Sequence, residues 1–483
     1  MVGASVTLPL PANVLYDKPQ QLIFDKIATF IGANGSGKST ILKSIFDAKL
    51  KGTVYEGYKV VCFSSGQNES YSKNFGEYLN SERQKKNALN LDCFFYDKNW
   101  SVLLIFLATI TKPDGLVRAF LKRNKYVIEN DFDEDESTSL SFRVKVDKGY
   151  INVVSQALED EQKGDINVIT NRAYHQTLNS FINSLINKDY DFSQPLELTD
   201  IHIKQEDLSK VSFESDGGEA FDTRVMFFTQ AADNDYFIVK NSFKLTFKHN
   251  DKEITLEDLS DGEYQILFLY SLIDLFDTES TLFLFDEADS HLHYKNIERL
   301  WDAFSNVYGL VITTTHLIDS ITKAGIERLR VIEDGLIKSG NNLKHLTERL
   351  GDLSKISNVK FQAISFFKSV VLIDDENDWE QFKILAVRKI SSNLEEQLKI
   401  ESNLSNILAI KCSSGYQGLG NDVFAKSKIK WLNNFKEFLI GHTYRTKNIF
   451  LICDRDELPI QRLGKSQCSL LLKNDSVKKL ILI

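Results

Sequence analysis

A glycine-rich segment after residue 31 has the residue types and spacing of a phosphate-binding loop. It reads Gly32-Ala33-Asn34-Gly35-Ser36-Gly37-Lys38-Ser39 and fits GxxxxGK[ST]. Glycines let backbone N–H groups wrap phosphate oxygens, the lysine reaches the β- and γ-phosphates, and the hydroxyl ligates Mg²⁺. The predicted nucleotide contacts are therefore Asn34, Gly35, Ser36, Gly37, Lys38, Ser39 and Thr40.

The flanking residues predict the strand and helix that such a loop needs. Lys26 to Ile31 is a short apolar run rich in β-branched and aromatic residues. Beyond the loop, Ser39 to Leu50 carries Ile41, Leu42, Ile45 and Phe46 at helical spacing. Strand, loop and helix in this order present the positive end of the helix to a phosphate.

A pair of acids ends another apolar run. Thr281 to Phe285 predicts a buried strand, and Asp286 and Glu287 follow it directly. A carboxylate at this place suits Mg²⁺, and a second suits the base that polarises an attacking water. We assign Asp286 to the metal and Glu287 to the base, with Lys38 as a second catalytic residue and Ser39 as the other metal ligand.

Four further segments resemble the motifs of ABC-type ATPases. Leu259 to Gln265 (LSDGEYQ) looks like the signature loop, and Ala288 to His293 resembles the loop after the acidic strand. Thr313 to His316 resembles the strand end that carries the switch histidine, and Gln67 lies where the family has its Q-loop glutamine. The resemblance covers about residues 1–80 and 240–365.

The resemblance implies that the site is completed by a second copy. In such ATPases the signature loop contacts the γ-phosphate held by the other protomer, here through Ser260 and the backbone of Gly262. His316 would sense the γ-phosphate and Gln67 would contact the nucleotide. ATP would join two heads in a homodimer, or in a higher oligomer built from it, and hydrolysis would release them.

The order of these segments predicts an α/β protein in which a P-loop head is split. The expected domains are a first head lobe (1–80), a mostly helical inserted arm (81–240), a second head lobe (241–365) and a small α/β domain (366–483). A split head resembles the SMC-like and OLD-like ATPases, of the AAA type. The insertion lacks sustained heptads, so no long coiled coil is predicted and the OLD-like branch fits better.

The last domain resembles a Toprim domain in two places. Val370 to Asp378 resembles its strand followed by E-G-x-x-D, and Phe450 to Asp456 resembles its D-x-D strand end. Asp374 replaces the family's glutamate and Asp375 its glycine. The implied ligands of Mg²⁺ or Mn²⁺ are Asp374, Asp378, Asp454 and Asp456. A catalytic nuclease and an incomplete or degenerate fold used for assembly both remain open.

Net charge, cysteine usage and hydropathy argue against a uniformly basic, a secreted or a membrane-spanning protein. The 483 residues carry a formal net charge of −9, which argues against a uniformly basic surface. Five scattered cysteines suit a reducing cytoplasm, and we expect neither a signal peptide nor a membrane segment. Two basic clusters are weak candidates for nucleic-acid contact, with a solvated helix face as the favoured alternative: Arg118, Lys122, Arg123 and Lys125, and Lys426, Lys428, Lys430 and Lys436.

Three functions follow from these patterns. The preferred one is an OLD-like ATPase that acts on or controls cleavage of nucleic acid in antiphage defence, because the resemblance extends to retron, Septu-type and PARIS-type ATPases. The first alternative is a non-nucleolytic sensor or scaffold that holds and releases a separate effector nuclease or toxin. The second is a DNA-repair ATPase, which stable coiled-coil character in the insertion would favour.

Overall fold

The chain forms two compact units in a computed structural model. Residues 1–323 with 334–336 make the first unit, and residues 324–333 with 337–483 make the second. The structure describes residues 5–52, 54–66, 69–85, 89–126, 138–213, 221–249, 252–290, 292–338, 361, 364–412, 426–440, 444–453 and 477–482.

The described residues contain α-helices and β-strands in alternation. The helices are α1 (Lys38–Leu50), α2 (Glu69–Arg83), α3 (Ser101–Thr111), α4 (Leu116–Arg123), α5 (Lys148–Gln162), α6 (Ala173–Ile186), α7 (Gln205–Ser209), α8 (Thr223–Ala232), α9 (Asp261–Phe276), α10 (Tyr294–Asn306), α11 (Ile318–Ala324), α12 (Glu376–Ile390), α13 (Leu394–Ser405) and α14 (Lys426–Leu439). The strands are β1 (Val6–Leu10), β2 (Gln20–Phe24), β3 (Ile27–Ile31), β4 (Lys59–Ser64), β5 (Cys93–Tyr96), β6 (Thr138–Val146), β7 (Leu196–Ile203), β8 (Ile238–His249), β9 (Lys252–Thr255), β10 (Thr281–Asp286), β11 (Leu310–Thr314), β12 (Leu329–Glu333), β13 (Leu336–Ile337), β14 (Ser369–Ile373), β15 (Leu408–Lys411), β16 (Asn448–Cys453) and β17 (Val477–Leu482).

A parallel sheet forms the core of the first unit. Five of its strands lie in the order β3-β11-β10-β4-β5, each parallel to its neighbour. Every residue of β3 and β10 is buried, as expected for strands covered on both faces. The predicted strands before the glycine loop and before the acid pair are confirmed, and so is helix α1.

The strand order brings the predicted site residues to one edge. Strand β3 leads through α1 to β4, and two strands, β11 and β10, lie between β3 and β4 in the sheet. The chain therefore crosses over where the glycine loop leaves the sheet, and ligands of open α/β sheets bind in the crevice at such a point. The carboxyl ends of β3, β10, β11 and β4 all face this crevice.

The segment predicted as a mostly helical insertion is mixed. Strands β6 and β7 lie inside it, and with β8 and β9 they form an antiparallel sheet in the order β7-β6-β8-β9. Strand β6 alternates buried and exposed side chains, the pattern of a half-buried strand. The parallel sheet also extends past residue 80, because β5 pairs with β4. The described helices between residues 81 and 240 have at most 15 residues, with no long coiled coil among them.

The second unit has a four-stranded parallel sheet in the order β15-β14-β16-β17. Its core contains Val371, Ile373, Trp379 and Ile452, with Phe382 and Leu404 packed against them. A second parallel α/β sheet was predicted from strand-like runs that end in acids, and the strand order confirms it. Strands β14 and β16 are adjacent and parallel.

Within the described residues, no single helix is long and apolar enough to cross a membrane. One pair of segments, Lys98–Thr111 and Leu116–Arg123, bent by 94°, has the length and composition of a span only when the two are taken together.

Candidate nucleotide-binding and hydrolysis site

The glycine loop wraps back on itself between β3 and α1. The N–H of Ser36 donates to the carbonyl oxygen of Ala33 at 3.1 Å. Gly35 and Gly37 have φ values of 79° and 97°, a region that side chains disfavour. The hydroxyl of Ser36 is buried and has no hydrogen-bond partner among the described residues, so the loop holds a polar group that a bound phosphate would satisfy.

A turn at Gly335 packs against the glycine loop and supports it. The sequence patterns did not reveal this contact. The N–H of Gly335 donates to the carbonyl oxygen of Ser36 at 2.9 Å. A Cβ on Gly37 would lie 2.8 Å from the backbone of Gly335. Asn13 and Gln20 fix the turn by donating to the carbonyl oxygen of Gly335 at 2.9 and 2.8 Å. The signal that could have found it is the Asp334-Gly335 dipeptide, a turn former.

The side chain of Lys38, the lysine predicted to bind phosphate, folds back onto the glycine loop. Lys38 is buried, and its Nζ donates to the carbonyl oxygens of Gly32 and Ala33 at 3.3 and 3.2 Å. Burial lowers the pKa of the Lys38 ammonium, while the carboxylates of Glu287 and Asp286 oppose that shift. The acids at the end of β10 thus help to keep a charge on the lysine.

Asp286 is the centre of a network that joins three strand ends and helix α1. Its Oδ1 accepts hydrogen bonds from the hydroxyls of Ser39 at 2.9 Å and Thr314 at 2.7 Å. The hydroxyl of Ser64, at the end of β4, donates to Oδ2 at 3.4 Å. Burial raises the pKa of Asp286, and the hydroxyl donors oppose the rise. A hydroxyl and a carboxylate oxygen in contact are the hard oxygen donors that Mg²⁺ takes, so these residues fit that metal.

Glu287 occupies a strained backbone position beside the predicted histidine. Its φ is 51°, the left-handed region, and its N–H donates to the hydroxyl of Thr314 at 2.9 Å. Its Oε1 lies 3.8 Å from Nδ1 of His316, and both side chains are partly exposed. Strain of this kind persists where the surroundings fix it, and it often marks a functional site.

Asp289 holds the loop after β10 against the end of β11. It is buried and accepts a short hydrogen bond from the hydroxyl of Thr315. The N–H of Thr315 in turn donates to the carbonyl oxygen of Phe30 on β3 at 3.1 Å. Sequence reasoning gave Asp289 no role, because its partner is distant in the chain.

The predicted signature loop ends at the start of helix α9. Ser260 is the exposed N-cap of α9, and its hydroxyl donates to Oε2 of Glu263 at 2.7 Å in a capping box. Gly262 lies in the first turn. The hydrogen bonds of Ser260 are thus made on its own helix, and no described hydrogen bond joins it to the glycine loop of the same chain.

Comparison with known proteins identifies the family. A family model described as "AAA domain, putative AbiEii toxin, Type IV TA system" matches residues 27–319, more than half of the chain. The chain belongs to this family. The AAA domain thus spans both the P-loop and the acid pair, and the protein is a P-loop ATPase that uses ATP, with Mg²⁺ as the usual metal.

Two further comparisons accompany this match. A search of curated proteins gives no match. Among solved structures, a chain titled "Crystal structure of the SmcHead bound to the C-winged helix domain of ScpA" is similar with a TM-score of 0.28 and 13% sequence identity. The alignment covers 69% of this chain and 96% of that chain.

The structure brings together most of the predicted nucleotide site. Lys38, Ser39, Asp286, Glu287 and His316 lie at one edge of the AAA-domain sheet. Gln67 lies outside the described residues, as does His291 of the loop after β10. The other predicted contacts lie in the glycine loop and the first turn of α1 (Asn34, Gly35, Ser36, Gly37 and Thr40) and at the start of α9 (Ser260 and Gly262).

The second predicted site is described only in part. Asp454 and Asp456 lie outside the described residues. Nζ of the fully buried Lys428 lies 2.5 Å from Oδ2 of Asp374. Asp378 accepts the N–H of Asp375 at 2.7 Å in a capping box of α12. No cluster of three or more His, Cys, Asp or Glu side chains with metal-site geometry occurs in the described part of the chain.

Both basic clusters include cations that are used internally. Arg118 is buried and its Nε donates to the carbonyl oxygen of Thr109 at 2.5 Å. Lys428 is buried against Asp374. A charge taken out of water needs a partner inside the protein, and both of these cations have one. The prediction of a phosphate-contacting or solvated face is therefore wrong at these two positions.

Proposed function

We propose that this protein is an ATP-driven switch in which two AAA domains close on nucleotide and hydrolysis separates them. The observation that carries the proposal is the network of Ser39, Asp286 and Thr314 beside the strained Glu287. We assign a phosphate loop, a metal-binding pair and a base to this edge of the sheet. A site for binding alone would not need the base.

Each residue has a separate task in this site. Lys38 and the loop N–H groups bind the phosphates, and Ser39 and Asp286 hold Mg²⁺, which neutralises phosphate charge when bound. The carboxylate of Glu287 accepts a proton from the attacking water, which it can orient because Thr314 fixes its backbone. His316, next to Glu287, links the base to the γ-phosphate end of the site.

The closing of two heads is supported by the exposure of the signature helix. Ser260 is exposed at the N-terminus of α9, where the helix dipole and orphan N–H groups attract an anion. A second copy that presents this end to the γ-phosphate would complete the site. The same nucleotide would then contact both protomers, and loss of the γ-phosphate would weaken the interface between them.

Variants of the P-loop lysine test the ATPase assignment. Lys38→Ala should lower ATP turnover by at least about 100-fold, because the phosphates lose their cation in the transition state. Lys43→Ala, on the same helix but paired with Asp47, is the matched control and should keep turnover. Steady-state ATPase assays would settle the point, and unchanged turnover in Lys38→Ala would contradict the site.

At finer detail, we propose that the switch controls cleavage of nucleic acid in cytoplasmic antiphage defence. The resemblance to OLD-like, retron, Septu-type and PARIS-type ATPases supports it, together with the Toprim-like order of strand and acids in the second unit. The second unit would then cut nucleic acid with Mg²⁺ or Mn²⁺ at Asp374, Asp378, Asp454 and Asp456.

The ion pair of Asp374 favours a second candidate, a scaffold that holds a separate effector nuclease or toxin. A divalent metal needs carboxylates whose charge is available, whereas Asp374 is already compensated by Lys428. In this candidate the second unit is an assembly domain, and ATP governs when the effector is held.

A cleavage assay separates the two candidates. Purified protein would be incubated with plasmid and single-stranded DNA, in Mg²⁺ or Mn²⁺, with and without ATP. Metal-dependent cutting that an Asp454→Ala and Asp456→Ala double variant loses would favour the nuclease. No cutting with intact ATP turnover would favour the scaffold.

A further inference from the structure

Helix α4 lies along the signature helix α9 and is bonded to it at both ends. At its N-terminus, the N–H groups of Leu116 and Val117 donate to the carboxylate of Asp274 at 2.8 and 2.9 Å. Beyond its C-terminus, the hydroxyl of Tyr126 donates to Oε1 of Glu263 at 3.0 Å. Glu263 and Asp274 are about 16 Å apart along α9 at 1.5 Å per residue. Helix α4 therefore braces nearly the whole signature helix.

The end of α4 fixes the position of Tyr126. Lys125 adopts a left-handed conformation with φ 59°, and the N–H of Tyr126 donates to the carbonyl oxygen of Leu121 at 3.0 Å. This is the usual geometry of a helix C-terminus that turns away from its axis. The side chain of Tyr126 is partly buried, so the turn directs its hydroxyl to Glu263 rather than to water.

Glu263 connects Tyr126 to the signature serine. Its Oε1 accepts from Tyr126, and its Oε2 accepts from both the N–H of Ser260 at 3.2 Å and the hydroxyl of Ser260 at 2.7 Å. Burial alone would raise the pKa of Glu263, but hydrogen bonds from Ser260 and Tyr126 outweigh it and hold the pKa below its usual value. The carboxylate is therefore charged and shared between the two hydroxyls.

We propose that Tyr126 is a positioning residue for the signature serine, an inference that rests on the proposed role of Ser260 across the head dimer. To donate to a phosphate, the hydroxyl of Ser260 must turn away from Glu263, which then loses a donor. The hydroxyl of Tyr126 stays on the carboxylate and reduces the cost of that turn. The inserted segment thereby sets how readily the signature loop engages the nucleotide.

Removing one hydroxyl tests this role. Tyr126→Phe should lower kcat for ATP by about 10- to 150-fold, the effect of one hydrogen bond to a charged group. The Kd for ATP should stay at the wild-type value, because the P-loop of the same chain is unchanged. Tyr190→Phe is the matched control, since its hydroxyl donates to the carbonyl oxygen of Gln194 at 2.7 Å, and it should keep the wild-type kcat.

A double-mutant cycle separates positioning from a general structural effect. In a Glu263→Ala background, Tyr126→Phe should have no further effect on kcat, because the carboxylate that couples it to Ser260 is gone. An equal loss in both backgrounds would overturn the proposal. Thermal unfolding of each variant would be recorded beside the kinetics, and Tyr126→Phe should remain folded at the assay temperature although one hydrogen bond to Glu263 is lost.

One further variant distinguishes this inference from the function on which it rests. If Ser260→Ala loses turnover while Tyr126→Phe keeps it, the positioning role is wrong and the head dimer stands. If Ser260→Ala keeps wild-type turnover, the proposed contact across the dimer is wrong, and the positioning role with it.

Discussion

Individual residues at the nucleotide site are held by partners far away in the chain. Glu287 keeps a φ of 51° because Thr314, on the neighbouring strand, accepts its N–H. Burial lowers the pKa of the Lys38 ammonium, and the nearby carboxylates of Glu287 and Asp286 oppose that fall. The catalytic side chains thus depend on the packing of β10 against β11 and on α1, and not on the loop sequence alone.

Alanine substitutions at Gly35 and Gly37 of the loop should lower the stability of the protein by different amounts. Gly37→Ala should destabilise the nucleotide-free protein more than Gly35→Ala, because both have positive φ but only Gly37 abuts the backbone of Gly335. The strain that both variants share is about 1–2 kcal/mol. Unfolding midpoints without nucleotide would measure the difference. Equal midpoints for the two variants would contradict the contact between the loop and the turn.

Residue types at the site were largely predictable, whereas their supports were not. Glycines, a lysine and paired acids have types that only a few chemistries need, so Lys38, Ser39, Asp286 and Glu287 could be identified from spacing. Gly335, Asp289 and Tyr126 have ordinary types, and their roles depend on contacts that form only when the chain folds. Partners that lie 26 to 322 residues apart in the chain leave no local pattern.

At the scale of elements, the brace between α4 and α9 depends on the half-buried carboxylate of Asp274. Asp274 accepts the first two N–H groups of α4, and burial raises its pKa to about 6, a rise that those two donors oppose. A raised pKa means that the folded state binds the proton more tightly than the unfolded state between about pH 4 and pH 6. Protonation of Asp274 therefore adds stability as the pH falls through 6.

The Asp274→Asn variant isolates this contribution. On lowering the pH from 7 to 4, the free energy of unfolding of the wild type should gain on the order of 2 kcal/mol relative to the variant. Other groups titrate in both proteins, so the difference between the two curves is the quantity to measure. Parallel curves would show that Asp274 does not titrate in this window.

The second unit contains an ion pair between Lys428 and Asp374, the residue that follows strand β14. Lys428→Met should lower the free energy of unfolding by about 3 kcal/mol, because Asp374 is then left largely buried without its cation. Lys411→Met is the matched control, since the pair of Lys411 with Asp375 is largely exposed and is worth less than about 1 kcal/mol. Chemical denaturation would compare them, and equal losses would contradict the assignment.

Strands and helices could be predicted where the apolar residues of a segment follow a single clear pattern. The mostly apolar strands β3 and β10 and the helical spacing of α1 have strong local signals, and the structure has them within a residue or two. The antiparallel sheet was missed although β6 alternates clearly, because its pairing partner β8 lies almost a hundred residues further along. A strand without a recognised partner is easily mistaken for part of a helical arm.

At the scale of the whole molecule, the predicted domain boundaries at residues 80, 240 and 365 remain predictions. Two parallel sheets were expected from strands that end in acids, and both exist. The family match covers the first sheet and the inserted segment together. What a sequence pattern does not specify is how the inserted segment acts, because that depends on contacts such as those of α4 with α9.

The proposed switch requires that ATP joins two copies of this chain and that hydrolysis separates them. The most direct test is the mass in solution of the Glu287→Gln variant, with and without ATP and Mg²⁺, measured by light scattering. The variant should bind ATP without turnover, and its mass should double from 55.2 kDa when ATP is present. Adding Lys38→Ala should abolish the increase. A mass that does not change with ATP, or wild-type turnover by Glu287→Gln, would contradict the proposed switch.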